Sequence, residues 1–302
     1  MNIIIVNPRA GNGNAKKIHL RLMKLAEYKK LQPICYYTDY PGHAEEIAAN
    51  LNSGCINSLI VIGGDGTMHE VINGLNNPQI PISFIPGGSG NDFTRGSLLP
   101  NKPTVILNNI LHNHTTKNYW LGTYTLSNSM AREFINCIGF GFDAEVTKRA
   151  NHSPFKRMFN KLKLGTVVYS IALVSALFTY KPSVITIKTE KEIQTFTRCF
   201  LMTINNQPYF GGGMKINPTA DNNEEEFSIM VIDSISKWKV LALFITVFKG
   251  KHIDFKEVTI LKAKRIEVIS NCPLPYQVDG EVGTALNCKI AKKPFPIKVK
   301  GA

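Results

Sequence analysis

The chain has 302 residues, 44% of them hydrophobic and 19% charged, which is the balance of a folded protein long enough for two domains. Its 35 Lys and Arg residues outnumber the 22 Asp and Glu residues and give a formal net charge of +13. Such an excess indicates an anionic partner: nucleic acid, a membrane surface or phosphorylated ligands. The sequence has no helix-turn-helix, zinc-finger or RNP-type aromatic pattern, so we expect no nucleic-acid partner.

The N-terminal segment and the cysteines bear on the cellular compartment. The first apolar run, Ile3–Val6, is only one strand long and no basic segment precedes it, unlike a secretory signal. The six cysteines are scattered without a Cys-x-x-Cys pair, which is typical of reduced thiols. The sequence therefore predicts a cytoplasmic protein.

The first third of the chain alternates short apolar strands with amphipathic helices. Strands are predicted at 3–6, 34–37, 58–62 and 82–85, and helices at about 14–30, 42–52 and 67–75. Continuous apolar strands between such helices indicate a doubly wound parallel sheet that is covered on both faces. We expect this α/β domain to span residues 1–118.

From about Tyr119 the pattern changes to strand-like runs separated by polar turns. These runs are 119–127, 132–140, 183–188, 196–205, 227–232, 256–261, 265–269 and 295–299. They predict a second, mainly antiparallel and sandwich-like β domain over residues 119–289. A cleft between the two domains is then the expected ligand site.

The most informative segment is Gly63-Gly64-Asp65-Gly66-Thr67, which lies between a predicted strand and a predicted helix. Its glycines let backbone amides approach a phosphate, and Thr67 stands near the helix start, where the potential is positive. Asp65 would repel an anion that came without a cation, so ATP with Mg²⁺ fits better than a bare phosphate ester. The alternative is a tight strand-to-helix turn with no ligand.

Two further glycine-rich turns follow predicted parallel strands. Asn7-Pro8-Arg9-Ala10-Gly11-Asn12-Gly13 follows the first strand, and Pro86-Gly87-Gly88-Ser89-Gly90-Asn91-Asp92-Phe93-Thr94-Arg95 follows the strand at 82–85. The carboxyl ends of parallel strands meet at one edge of a sheet, where doubly wound proteins bind ligands. The three turns can therefore converge on one nucleotide.

Together these motifs resemble the soluble bacterial diacylglycerol kinases, whose catalytic domain is shared with the sphingosine and ceramide kinases. The resemblance covers nearly the whole chain. It extends beyond the three turns to Thr38 with Gly42-His43-Ala44, Gly139-Phe140-Gly141-Phe142-Asp143, Gly211-Gly212-Gly213-Met214 and Val278-Asp279-Gly280-Glu281.

The resemblance implies an ATP-dependent kinase that phosphorylates diacylglycerol or a related membrane alcohol. Implied nucleotide-binding residues are Asn7, Pro8, Arg9, Ala10, Gly11, Thr38, Gly63, Gly64, Asp65, Gly66, Thr67, Ser89 and Asn91. The implied catalytic carboxylates are Asp279, Glu281 and Asp65, with Asp279 or Glu281 as the base that takes the hydroxyl proton. A plain Asp-Gly hairpin is the alternative at that turn. Similarity to the family also implies that the final strand, within about 290–302, returns to the first domain.

The acidic segment Asp221-Asn222-Asn223-Glu224-Glu225-Glu226 departs from the family pattern. Relatives often carry an Asp-Asp-Gly loop here that holds a structural Mg²⁺, whereas this chain has Glu225 in place of the glycine. Asp221, Glu224 and Glu226 offer oxygen ligands for such a cation, but a turn without glycine adopts a positive φ less readily. A metal site and a solvated acidic loop are both consistent with the sequence.

Two segments bear on membranes and partners. Lys156, Arg157, Lys161 and Lys163 alternate with apolar residues in a pattern suited to docking on anionic headgroups, so we expect peripheral membrane association. A solvated basic helix end is the alternative. The apolar helix predicted at 164–180 is short for a membrane span and favours a packed or interfacial helix. An exposed strand edge in the second domain is consistent with a homodimer, and equally with an edge protected by Lys188, Lys191 or the segment 205–223.

Two other functions compete with the lipid kinase. A NAD kinase is one alternative, because those enzymes resemble this chain in the Gly-Gly-Asp-Gly-Thr turn. The other is a nucleotide- or lipid-binding protein without catalysis, which the altered acidic loop suggests.

Overall fold

The computed structural model describes residues 1–51, 56–97, 99–113, 115–127, 129–152 and 165–301. It divides into two compact units: unit 1 comprises Met1–Trp120 and Pro294–Ala302, and unit 2 comprises Leu121–Lys293. The chain therefore leaves unit 1 and returns to it with the last strand. The basic segment predicted to dock on membranes, from Lys156 to Lys163, lies outside the described residues.

Unit 1 is built on a six-stranded sheet in the order β2-β1-β3-β4-β15-β5. Its strands are β1 (Asn2–Val6), β2 (Ile34–Tyr37), β3 (Ser58–Gly63), β4 (Ile82–Pro86), β5 (Thr116–Tyr119) and β15 (Ile297–Lys300). All neighbouring strands are parallel except β15 and β5. The helices are α1 (Ala10–Leu22), α2 (Ala26–Leu31), α3 (His43–Ala49), α4 (Asp65–Gly74), α5 (Asp92–Gly96) and α6 (Pro103–His112).

The two central strands explain why this sheet forms. Every residue of β3 is buried, as are the last four of β1, so both faces of the sheet are covered. Aliphatic side chains such as Ile4, Val6, Ile60 and Ile62 pack against the helices in one core. A continuous apolar strand of this kind can bury both faces only under helices on both sides.

The helix predicted over 14–30 forms two helices rather than one. Backbone dihedrals of Leu25 are extended (φ −83°, ψ 148°), and this residue precedes α2. The break turns the chain so that Tyr28 and Leu31 of α2 are both buried in the unit 1 core. Packing thus overrides a continuous helical pattern.

Unit 2 has a mainly antiparallel sheet in the order β12-β11-β10-β8-β13-β14-β6-β7, with β9 paired to β10 and β13. Its strands are β6 (Gly122–Leu126), β7 (Arg132–Phe134), β8 (Cys137–Gly141), β9 (Ser183–Thr189), β10 (Ile193–Asn205), β11 (Phe227–Asp233), β12 (Val258–Ala263), β13 (Arg265–Val278) and β14 (Glu281–Lys292). The helices are α7 (Phe142–His152), α8 (Gly165–Thr179) and α9 (Lys237–Val247), followed by a 3₁₀ turn, Lys251–Asp254. The predicted fold class, a parallel α/β domain followed by an antiparallel β-rich domain, is confirmed.

Several strand limits differ from the prediction. The run at 119–127 forms β5 of unit 1 and β6 of unit 2, and the run at 132–140 is broken between β7 and β8. This second break has a clear cause, because the amides of Ile135 and Asn136 donate to the carboxylate of Asp279 instead of to a neighbouring strand.

The apolar helix predicted at 164–180 is α8, Gly165–Thr179. Its described inner residues Ala172, Leu173, Ala176 and Leu177 pack in a core with Phe142 of α7 and residues of α9. Within the described part of the chain, no helix combines the length and the apolar character needed to cross a bilayer.

Candidate active site

Three loops that follow parallel strands of unit 1 lie side by side. We call them loop 1 (Asn7–Gly13, after β1), loop 2 (Gly63–Thr67, from the end of β3) and loop 3 (Pro86–Asn91, from the end of β4). Loop 1 is tied to loop 2 by a hydrogen bond of 3.0 Å from Asn7 Nδ2 to Thr67 Oγ1. Loop 3 is tied to loop 2 because the amides of Gly87 and Gly88 both donate to the carbonyl of Gly63, at 2.7 and 3.0 Å.

The loops meet through glycines that leave no room for a side chain. A Cβ on Gly11 would lie 2.1 Å from the carbonyl oxygen of Gly87, and one on Gly88 would lie 2.5 Å from the Cα of Gly64. Both distances are far below any van der Waals contact. The glycine spacing seen in the sequence therefore has a physical cause, which is the direct backbone packing of the three loops.

Loop 1 has an unusual backbone. Gly11, Asn12 and Gly13 all have positive φ values, of 57°, 56° and 85°, before the regular part of α1 begins. These residues form a tight turn at the start of a helix, and the successive backbone amides of a turn are a known type of anion site. A side-chain turn supports it, since the amide of Arg9 donates to Asn7 Oδ1 at 3.1 Å.

Loop 2 leads directly into α4. The first helical hydrogen bond runs from the amide of Met68 to the carbonyl of Gly64, at 3.2 Å. The first-turn amides of Asp65, Gly66 and Thr67 thus precede the helical ladder and carry the positive end of the helix dipole. Gly66 is exposed, and a Cβ placed on it would meet no atom within 4 Å apart from its chain neighbours and the backbone of its own helix.

Asp65 links loop 2 to the start of α5. Its two carboxylate oxygens accept hydrogen bonds from the amides of Asp92, at 3.1 Å, and Phe93, at 3.0 Å. Asp92 in turn pairs with Arg95 at 2.9 Å. The carboxylate of Asp65 is therefore held in a fixed place among the glycine loops.

The other predicted nucleotide-binding residues lie at the same edge of the sheet. Thr38 follows β2, is buried, and donates its amide to the carbonyl of Val6 at 3.0 Å. Asn91 closes loop 3 by two hydrogen bonds with the backbone of Gly88, each 3.1 Å. The remaining residues of the set lie in the loops: Pro8, Arg9 and Ala10 in loop 1, and Ser89 in loop 3.

The sequence did not single out Asn14 or Gly87 as functional. Asn14 Nδ2 donates to the Gly87 carbonyl at 3.3 Å, and a Cβ on Gly87 would lie 2.6 Å from the Cβ of Ala15. The only sequence signal for these two residues was the glycine motif after β4. That motif identifies the residues of loop 3, but it does not show that Gly87 contacts Asn14 and Ala15.

The Asp-Gly-Glu turn lies in unit 2, between β13 and β14. Asp279 and Gly280 have φ values of 48° and 99°, which are the positive values of a two-residue hairpin turn. The Asp279 carboxylate accepts three backbone amides: Ile135 at 2.7 Å, Asn136 at 2.8 Å and Cys137 at 3.3 Å. The turn is thus a hairpin whose aspartate also fixes the segment between β7 and β8.

A network of buried polar side chains is hydrogen-bonded to this turn and to the Ile135 segment beside it. Gln277 accepts the amide of Gly280 at 3.1 Å and donates to Asp143 Oδ2 at 3.2 Å. Asn206 donates to the Ile135 carbonyl at 2.8 Å and accepts from Lys292 Nζ at 2.6 Å. Asp143, Gln277, Asn206 and Lys292 were not predicted as site residues, because only Asp143 lies in a recognisable motif and the rest come from distant strands.

Burial shifts the pKa values of two side chains in this network. Desolvation raises the pKa of Asp143 to about 7, against the hydrogen bond from Gln277, which lowers it. Desolvation also lowers the pKa of Lys292 to about 8, while the charges of Asp221 and Glu224 act in the opposite direction. Lys292 Nζ lies 4.9 Å from the centroid of the Phe227 ring, which offers the ammonium a favourable π face.

We expect Asp143→Asn to stabilise the protein at alkaline pH. Asp143 is charged in the unfolded chain above pH 3.8 but resists charging in the fold up to about pH 7. The contribution of Asp143 to the free energy of unfolding is therefore fully present below about pH 4 and is lost as the pH rises to about 7. The loss is on the order of 4 kcal/mol. In thermal unfolding, the Tm gain of the variant should be larger at pH 8 than at pH 5; an equal gain at both would contradict this.

Glu281, the other carboxylate of the turn, opens β14 and is exposed. The structure gives it no hydrogen bond or ion pair with the described residues, so its carboxylate is available to a ligand. Asp279 and Glu281 thus differ in kind, because one carboxylate is occupied by backbone amides and the other faces solvent.

The acidic segment does not fit a metal site. Glu224 pairs with Lys262 at 2.6 Å, Glu226 pairs with Lys191 at 2.7 Å, and Glu225 pairs with Lys264. Asp221 Oδ1 accepts the amide and the side-chain amide of Asn223. In the described residues no three His, Cys, Asp or Glu side chains are grouped as a metal ion would require. The positive charge beside each glutamate is thus supplied by a lysine.

Chelation of metal should therefore leave the fold unchanged. We expect the Tm of the protein without nucleotide to be the same in EDTA as in millimolar MgCl₂, because the lysines neutralise the carboxylates that a cation would otherwise need to bridge. Differential scanning fluorimetry measures this directly. A fall in Tm on chelation that MgCl₂ reverses would instead favour the metal site, which the sequence left open as one of two alternatives.

Comparison with known proteins places both units in one family. Residues 2–121 match the model of the "Diacylglycerol kinase catalytic domain", and residues 136–300 match that of the "YegS C-terminal NAD kinase beta sandwich-like domain". The "Putative lipid kinase YtlR" of Bacillus subtilis is 34% identical over 302 residues, with 98% of each chain covered. A "Diacylglycerol kinase" of Mycobacterium tuberculosis is 27% identical over 296 residues, covering 98% of this chain and 93% of the relative.

Solved structures agree on the fold. "A putative diacylglycerol kinase from Bacillus anthracis str. Sterne" superimposes with a TM-score of 0.76 at 22% identity, covering 99% of this chain and 96% of the other. The chain therefore shares with that protein a fold in which an α/β unit is followed by an antiparallel β-rich unit. The chain belongs to the bacterial diacylglycerol kinase family.

Proposed function

We propose that the protein transfers the γ-phosphate of ATP to the hydroxyl of diacylglycerol or a related membrane alcohol, giving a phosphatidic-acid-type product. The observation that supports this best is the packing of three glycine loops at one sheet edge, within the residues that match the catalytic-domain model. Phosphoryl transfer needs bound phosphates, neutralised charge and a base for the acceptor hydroxyl.

Unit 1 is proposed to hold the nucleotide. The backbone amides of loop 1 and the first turn of α4 supply donors and positive potential for the phosphates. Close backbone packing at Gly11 and Gly88 keeps these donors fixed, so little reorganisation is needed when ATP binds. Mg²⁺ bound with ATP would neutralise part of the triphosphate charge, and Asp65 is the residue proposed to hold it.

Unit 2 is proposed to supply the base. Glu281 is favoured for accepting the proton, because its carboxylate is exposed and both oxygens of Asp279 already accept backbone amides. Asp279 then acts as a positioning residue that fixes the turn and the adjoining Ile135–Cys137 segment. A general base near the acceptor hydroxyl contributes about 10²- to 10⁴-fold in rate.

The test is transfer of radiolabelled γ-phosphate from MgATP into acceptors in mixed micelles. The panel contains diacylglycerols, monoacylglycerols, sphingoid bases, ceramides and polyprenols, with NAD as the non-lipid acceptor. We expect label in a glycerolipid with wild-type protein, loss of that label with Asp65→Ala, and full labelling with Glu27→Gln, a control on α2 outside the three loops.

Each other outcome points elsewhere. Labelled NADP would favour a NAD kinase, to which the description of the C-terminal domain model also refers. Label that stays in ATP with every acceptor, together with tight ATP binding, would favour a nucleotide-binding protein without catalysis. Equal labelling by wild type and Asp65→Ala would remove Asp65 from the proposed site.

A further inference from the structure

Helix α9 is apolar on two opposite sides, although only one side packs against the protein. Val240, Leu243 and Val247 are buried in the unit 2 core beneath the helix. On the far side, Trp238 is 76% exposed and Ile245 is 75% exposed. These two residues are seven positions apart, or about two turns, so they lie on the same line along the helix. A helix that merely covers a core would have polar residues there.

The apolar surface continues beyond α9. Phe248 follows the helix and is exposed, and Val174 and Phe178 of α8 are exposed one turn apart on the same helix face. The end of α8 meets the start of α9, where Lys237 Nζ donates to the Phe178 carbonyl at 2.8 Å and lies 6.0 Å from the centroid of its ring. We call this surface the α8–α9 face: Val174, Phe178, Trp238, Ile245 and Phe248. Large exposed apolar side chains on elements that meet in this way are typical of interaction sites.

The charged residues of α9 and of the turn that follows it are basic. The segment from Lys237 to Lys251 carries four lysines, at 237, 239, 249 and 251, and no acidic residue. Lys249 and Lys251 are exposed just past the end of the helix, beside Phe248. Lys239 is partly neutralised by Glu257, at 2.6 Å, so most of the positive charge lies at the Lys249 end.

We propose that the α8–α9 face docks the protein on an anionic bilayer, with Trp238, Ile245 and Phe248 inserted at the level of the headgroups. Exposed apolar side chains beside lysines are the composition of a helix that lies in a membrane interface, and tryptophan prefers that depth. Lysines near the surface add attraction to anionic lipid. The inference deepens the proposed function, since a kinase for a membrane alcohol must reach its acceptor in the bilayer, but docking itself requires neither ATP nor an acceptor.

Tryptophan fluorescence tests the proposal without catalysis. The chain has two tryptophans, so Trp120→Phe leaves Trp238 as the only one. Vesicles of phosphatidylcholine with phosphatidylglycerol, free of diacylglycerol, are added without ATP. We expect a blue shift of Trp238 emission, quenching by lipids brominated on the acyl chain, and loss of both effects in high salt or with pure phosphatidylcholine.

Vesicle co-sedimentation of variants separates the apolar and the charged contributions. The double variant Trp238→Ser with Ile245→Ser should bind the same vesicles at least tenfold more weakly, and Lys249→Glu with Lys251→Glu should do the same. Matched controls are Ile193→Ser, an exposed apolar residue at the start of β10, and Lys289→Glu, an exposed lysine on β14; both should bind like wild type. Circular dichroism confirms that each variant is folded.

The result can overturn the proposal in defined ways. Unchanged Trp238 emission on anionic vesicles, or equal binding by the variants and their controls, would refute docking by this face. If the serine variants instead alter the sedimentation coefficient of the free protein, the face is a contact between two copies of the chain. Vesicle binding in a protein that phosphorylates no acceptor would leave the docking proposal intact and reject only the proposed function.

Discussion

Asp279→Ala is expected to weaken both the fold and the turnover, whereas Glu281→Gln should weaken turnover alone. Alanine at 279 leaves three amides, those of Ile135, Asn136 and Cys137, without their acceptor. Unpaired donors of this kind cost about 1–3 kcal/mol each when buried, so a loss of about 3 kcal/mol is expected in chemical denaturation. Turnover should fall about 10²-fold because the turn is misplaced.

Glu281→Gln removes a charge from an exposed side chain that makes no hydrogen bond or ion pair with a described residue. We expect its free energy of unfolding to match that of wild type, while kcat falls about 10²- to 10⁴-fold if Glu281 takes the hydroxyl proton. The two variants thus separate a positioning residue from a catalytic residue, since only the first changes stability.

The pH profile of kcat/KM decides which carboxylate is the base. Wild type should show an acidic limb that reports the base, and this limb should vanish in Glu281→Gln. It should remain in Asp279→Asn, which tolerates the positive φ of this position and keeps one acceptor oxygen. The reverse pattern, a limb that persists in Glu281→Gln and is lost in Asp279→Asn, would make Asp279 the base.

The sequence predicted those features that depend on local patterns. Apolar runs such as β3 and the glycines after β1, β3 and β4 define a parallel sheet and its ligand edge, because strand burial and turn geometry are local properties. The glycine pattern does not reveal that Gly11 packs on the Gly87 carbonyl, which depends on how two separate loops meet.

Contacts between residues far apart in the chain could not be predicted from the sequence. The amides that bind Asp279 come from residues more than 140 positions earlier, and no periodicity in the Ile135 region predicts a break there. The lysines that pair with Glu224, Glu225 and Glu226 come from other strands and turns, so the acidic segment alone was consistent with a metal site. The exposure of Trp238 and Ile245 on α9 could not be predicted either, since a helix with apolar residues on every side is expected to be buried.

The second large effect is expected from Gly66→Ala, which should lower the affinity for ATP without harming the fold. Gly66 is the second residue of α4, and a Cβ there would meet no atom within 4 Å apart from its chain neighbours and the backbone of its own helix. Alanine also favours a helix over glycine by up to about 1 kcal/mol, so the Tm should stay the same or rise. If the phosphates approach the open side of this residue, the added methyl group should raise the KM for ATP by about 10- to 100-fold.

Gly11→Ala provides the matched contrast, because it adds the same methyl group to a different loop. Its Cβ would lie 2.1 Å from the Gly87 carbonyl oxygen at a φ of 57°, so both stability and ATP affinity should fall together. Isothermal titration with ATP and thermal unfolding of both variants measure the two effects. Unchanged ATP affinity in a folded Gly66→Ala protein would show that the phosphates do not approach the first turn of α4, and loop 1 would then be the remaining candidate for holding them.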